Sequence, residues 1–76
     1  MSNYIYAEAY DDNVIRTISA TSLRNAEERI IEKFRDEYEI DKEFDNYHEF
    51  KSYMWDEYEV LVSNPRDIEA IWEPIK

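Results

Sequence analysis

Polar and apolar residues alternate from Asn3 to Ala9, in "NYIYAEA", and β-branched residues crowd Val14 to Ala20, in "VIRTISA". A two-residue period sends successive side chains to opposite faces of a strand. The segments flank "YDDN", whose Asp12 and Asn13 are best able to adopt positive φ in a chain without glycine. Together they predict a β-hairpin. Alternation places Ile5, Ala7 and Ala9 on one face and Tyr4, Tyr6, Glu8 and Tyr10 on the other. The small apolar set suits the side on which a helix packs. That leaves a tyrosine face, exposed or covered by something else.

The period then changes. Leu23, Ala26, Ile30, Ile31, Phe34 and Tyr38 form a helical stripe, with Ser22 or Thr21 as N-cap and Glu27 and Glu28 near the positive end. The pattern breaks at "EIDKEFDN" and resumes after Asp45, a reasonable N-cap. Tyr47, Phe50, Tyr53, Met54 and Tyr58 mark the apolar side of this second helix, with Trp55 at its edge. "YEVLVS" (Tyr58–Ser63) reads as a third strand, central and buried. In "NPRDIEAIW", Asn64 as N-cap, Pro65 at the first helical position and Asp67 in the first turn predict a short terminal helix. An edge strand stopped by Pro74 is the alternative for residues 65–73.

The expected fold is α+β: a small antiparallel three-stranded sheet with helices on one face, in the order ββααβ plus a short C-terminal helix, the third strand beside the first. The expected core is Ile5, Ala7, Ile18, Leu23, Ile30, Phe34, Phe50, Val60 and Val62. Seventy-six residues make one domain, 1–76. A chain this short buries only about 60% of its unfolded surface, so twelve aromatic residues matter to its stability.

Composition removes whole classes of function. Without cysteine there is no disulfide framework and no thiolate zinc site. Without glycine there is no phosphate-cradling loop. No apolar run reaches the roughly 18 residues of a membrane span, "MSNYIYAEAY" has no basic leader, and the lack of cysteine fits a reducing cytoplasm. A net charge of −10 repels nucleic acid and anionic lipid alike, so neither is a direct partner.

Catalytic chemistry finds little footing. His48 is the only histidine; sharing a metal with Asp45 and Glu49 is possible chemistry, but an exposed helical histidine is the simpler reading. "DKEFD" lacks the glycine and the bidentate glutamate of a calcium loop. Among nineteen acids some pairs stand at glycosidase-like distances by chance, and a pocket of about 300 Å3 is hard to build in a domain this small. No enzyme, no metal and no cofactor is expected.

The acidic residues carry more information. Glu32–Glu59 holds eleven acids against four bases, a net −7 of the total −10. Residues four apart on a helix are separated by about 6 Å of rise. A row of such carboxylates is comparable with phosphates spaced about 3.4 Å along one nucleic-acid strand. Tyr47, Tyr53, Trp55 and Tyr58 lie among the acids, and rings with carboxylates suit a surface that meets Arg and Lys. The candidate partner-binding residues are Asp36, Glu37, Glu39, Asp41, Glu43, Asp45, Glu49, Asp56 and Glu57, and the expected partner is a basic, nucleic-acid-binding protein. Against this, Lys33, Arg35, Lys42 and Lys51 interrupt the row as on an ordinary solvated helix face, and several of the rings must form the core.

In size, acidity, element order and the "DEYEIDKEFD" stretch, the chain resembles the small phage-encoded inhibitors that mimic DNA, among them anti-restriction and anti-CRISPR proteins. The resemblance implies a protein that occupies the nucleic-acid groove of a host or defence enzyme. It rests on no motif and transfers no residue. The alternative is a small structural or adaptor protein that associates through aromatic surface such as Tyr4, Tyr6 and Tyr10.

Overall fold

The computed structural model describes residues 2–10 and 13–68. Along the chain run β1 (Ser2–Ala9), β2 (Asn13–Ala20), α1 (Leu23–Glu37), α2 (Tyr47–Tyr58), β3 (Leu61–Val62) and β4 (Arg66–Asp67). The fold is α+β, with an antiparallel sheet of four strands rather than three. β1 is central: β2 lies along one edge, and β3 and β4 share the other.

The hairpin forms as its alternation predicts, pairing Ser2 with Ala20 through to Ala9 with Asn13. Asn13 opens β2 without a positive φ, and Asp12 lies outside the described residues. The faces are the reverse of expectation. Tyr4 and Tyr6 are buried beneath the helices, while Ile5, Ala7 and Ala9 are half-buried on the opposite face. Burial favours the face that removes more carbon from water, and a tyrosine ring does so far better than an alanine methyl. Ala20 and Ala26 make room by letting α1 approach the sheet over Tyr4. The Tyr6 hydroxyl meets its polar requirement by accepting a 3.1 Å hydrogen bond from Lys33 Nζ.

Ser22 caps α1, its hydroxyl accepting from the Asn25 N–H at 3.1 Å while the Asn25 side chain accepts from the Thr21 N–H. No acid occupies its first turn; Glu27 and Glu28 come later. Glu39 then turns left-handed at φ 53°, and the Ile40 N–H returns to the Arg35 carbonyl at 2.9 Å. Asn46, not Asp45, caps α2: its side chain accepts from the Glu49 N–H at 2.8 Å. Glu49 reaches back in turn to the Asp45 N–H.

The two helices meet through rings. Phe34 lies 5.5 Å from Phe50 and Tyr38 lies 4.7 Å from Tyr58, centre to centre. Ile30, Phe34, Phe50, Met54, Val60 and Val62 join Tyr6 in one core, with Ile40 and Tyr47. Of the expected core, Ile18 is only partly buried and Leu23 is half-exposed.

The third strand is shorter than its β-branched run predicts. Tyr58 still belongs to α2, and Leu61 is 57% exposed while Val62 faces the core. β3 does add beside β1, as expected. Where a helix was expected to start, Arg66 and Asp67 instead pair with Ile5 and Tyr4. Val62 faces Glu8 and Arg66 faces Ile5, so four steps on one strand answer three on the other: a bulge at Ser63–Pro65. Pro65 has no N–H to offer a ladder, which suits it to this position. The Ser63 side chain mends the gap by accepting the Ala7 N–H at 2.7 Å, while its own N–H donates to the Ala7 carbonyl. The remainder of the expected terminal helix, with Pro74, lies outside the described residues.

Candidate acidic interaction surface

The candidate carboxylates sit on four local structures: the last turn of α1 (Asp36, Glu37), the connection between the helices (Glu39 to Asp45), the first turn of α2 (Glu49) and its last turns (Asp56, Glu57). All are exposed except Glu49, which is half-buried. Glu49 is committed to structure, since it accepts the Asp45 N–H at the start of α2 and lies 3.8 Å from Lys42 Nζ. Glu37 lies 4.0 Å from Lys33, one helical turn back. Among the described residues Asp36, Glu39, Asp41, Glu43, Asp45, Asp56 and Glu57 form no ion pair.

They do not form one row. Asp45 lines an open groove of about 700 Å3 with Leu23, Arg24, Glu27, Glu28, Ile31 and Phe44, larger than a chain of this size was expected to build. Glu43 lies farther along the same side of α1 with Glu28, Glu32 and Arg35. Glu37 instead borders Glu8, Tyr10 and Arg16 beyond Tyr38. Glu27 and Glu28, absent from the expected set, thus rim the groove, and Glu32 continues beside Glu43. Their signal was the four-residue spacing of Glu28 and Glu32 beside Ile31, which puts them on one side of the helix.

Most of the rings expected at this surface are structural. Tyr47 is buried, Tyr53 and Tyr58 pack on the core, and Trp55 is half-exposed. Burial raises the Tyr53 phenol above its ordinary value, and burial followed by repulsion from Glu8 and Glu37 raises that of Tyr38. A cation already rests here: Lys42 Nζ lies 5.4 Å from the Tyr53 ring centre and 5.7 Å from that of Phe44, while paired with Glu49. Of the rings named for the alternative aromatic surface, Tyr4 and Tyr6 are interior, and Tyr10, at 72% exposure, faces solvent.

His48 is exposed, and among the described residues no three His, Asp or Glu side chains converge as metal ligands. No described helix is long and apolar enough to cross a membrane. No family model, no curated protein and no solved structure matches the chain.

Proposed function

We propose that the chain is an acidic binding protein that occupies a basic surface of a partner, in the manner of a nucleic-acid mimic. The observation that carries this reading is the set of seven exposed carboxylates that have no ion pair among the described residues, on the connection and at the ends of both helices. Local stability does not account for their placement. Asp36 and Glu37 close α1, and Asp56 and Glu57 close α2, where the helix dipole disfavours negative charge. The seat of Lys42 between Glu49 and two rings supports a surface that receives guanidinium or ammonium groups.

The outer face of α1 fits the solvated reading instead. Its Arg24–Glu28 and Arg35–Glu32 pairs neutralise one another in the ordinary way of an exposed helix. The binding surface therefore centres on Glu39, Asp41 and Glu43 rather than on the helix body.

Affinity capture from a lysate, with duplex DNA as competitor, tests the reading. The parent should retain a nucleic-acid-binding protein that DNA displaces, and the complex should weaken as salt rises. Replacing Glu39, Asp41 and Glu43 together by Lys should abolish capture and leave the melting temperature unchanged or higher. Undiminished capture by that variant at low salt would refute the proposal.

A further inference from the structure

β2 is an edge strand of unusual regularity. Its eight residues pair with β1 in unbroken register, and it contains no proline and no lysine. Proteins ordinarily blunt such edges with prolines, lysines, bulges or a cover, because the unpaired backbone recruits other strands. The opposite edge of β1 has that protection, in the bulge and proline of Ser63–Pro65. The one charge on β2, Arg16, is engaged by Glu8 of the neighbouring strand.

The outward-facing groups of β2 follow from the ladder. Ala7 exchanges its N–H and carbonyl with Ser63, so the odd residues of β1 bond toward β3 and the even ones toward β2. Across β2, Val14, Arg16, Ile18 and Ala20 therefore bond to β1, and Asn13, Ile15, Thr17 and Ser19 aim their groups at the free edge. Arg29 agrees, because its guanidinium reaches the outward carbonyl of Ser19 at 2.7 Å. Among the described residues the outward backbone groups of Asn13, Ile15 and Thr17 have no protein partner.

We infer that β2 pairs edge to edge with β2 of a second copy of this chain, antiparallel about a twofold axis at Ile15. Three registers bring together at least three of the four outward residues. Centring on Arg16 sets two like charges face to face, which disfavours it. Centring on Thr17 requires the Ser19 carbonyl that Arg29 already holds. Centring on Ile15 pairs Asn13 with Thr17 of the copy and Ile15 with its twin, and places Arg16 opposite Val14. It uses every free group and stops where the Arg29 cap begins. Ile15, 61% exposed, gains an apolar neighbour.

The choice of a second copy rests on charge. In a chain of net −10, Asn13–Ala20 contains no acid. Two copies meeting along β2 therefore bring no carboxylate of that strand against another. Salt separates this association from the one proposed above: screening two chains of like charge strengthens the dimer, whereas it weakens a complex between acidic and basic surfaces.

Sedimentation equilibrium of the parent should show mass rising from one chain toward two with concentration, at lower concentration in higher salt. Ile15→Pro removes an outward N–H and no bond to β1, so it should remain folded by circular dichroism and sediment as a monomer. Because the chain has no cysteine, Ile15→Cys introduces a single thiol. The twin Cα atoms of a hydrogen-bonded antiparallel pair stand about 5.5 Å apart, within disulfide reach. Mild oxidation should link this variant into a covalent dimer. Thr17→Cys places its twins roughly 13 Å apart along the strands and should not link. A parent monomeric at every concentration, a dimer that survives Ile15→Pro, or linkage through Thr17→Cys in place of Ile15→Cys would overturn the inference.

Discussion

The hydroxyl of Tyr47 donates a 2.7 Å hydrogen bond to the backbone carbonyl of Ser63, tying the first turn of α2 to the bulge beside β1. Tyr47→Phe keeps the ring against Phe50 and loses only this bond. It should lower stability by about 1 kcal/mol in urea unfolding, without changing the circular dichroism of the folded state.

The same phenol sets an alkaline limit. Burial, then repulsion from Tyr6 and Glu27, raises the Tyr47 pKa above its ordinary value near 10. A group raised in the folded state contributes its full stability below the unfolded value and loses it as pH climbs toward the folded one. Stability should therefore fall as pH rises beyond about 10, and Tyr47→Phe should flatten part of that decline. Tyr38 and Tyr53, shifted in the same direction, account for more of it. Unfolding curves measured from neutral to alkaline pH decide the matter.

Phe34→Ala should cost about 3–5 kcal/mol, a large share of the stability of so small a domain. Phe34 is fully buried, stacks on Tyr38 and meets the Phe50 ring at a tilt, joining α1 to α2. A variant that melts with the parent would contradict this packing.

Glu39 and Glu59 hold left-handed backbone at φ 53° and 57° where many helices end in glycine. A side chain there costs about 1–2 kcal/mol, partly offset by the greater freedom that glycine brings to the unfolded chain. Glu59→Gly and Glu39→Gly should each raise stability by roughly 0.5–1 kcal/mol. Thermal melts of the two variants check the expectation. If Glu39→Gly also weakens partner capture, the carboxylate at that position is retained for binding at the expense of the turn.

With five ion pairs among the described residues and a net charge of −10, self-repulsion opposes the folded state. Raising salt from 0.01 to 0.15 M shortens the screening length from about 30 to about 8 Å. The melting temperature should rise over that interval, with calorimetry as the measurement.

The helices were legible because their signal repeats. The Ala26–Ile30–Phe34 stripe and the Tyr47–Phe50–Met54 stripe each recur at helical spacing and each face the core. The hairpin was legible for the same reason, but alternation says which residues share a face and not which face is covered. Choosing between Tyr4–Tyr6 and Ile5–Ala7 required knowing that Ala20 and Ala26 leave room for rings. β4 left almost no trace, because two residues after a proline have no period to detect, and "NPRD" imitates a helix start. At the acidic surface, charge density was legible but its partition was not. Which carboxylates are free depends on where Lys33 and Lys42 reach in three dimensions.

The central strand β1 precedes its second neighbour β3 by a long stretch of chain: Ala7 and Ser63 stand 56 residues apart. During synthesis β1, β2 and α1 can assemble from nearby residues as they emerge, whereas the other side of β1 stays bare until Leu61–Asp67 has been made. Contacts that span most of a chain form slowly, because the intervening loop must be ordered before they repay its entropy. For that interval β1 itself is an unguarded edge, and the nascent chain is most open to mispairing before its closing segment arrives.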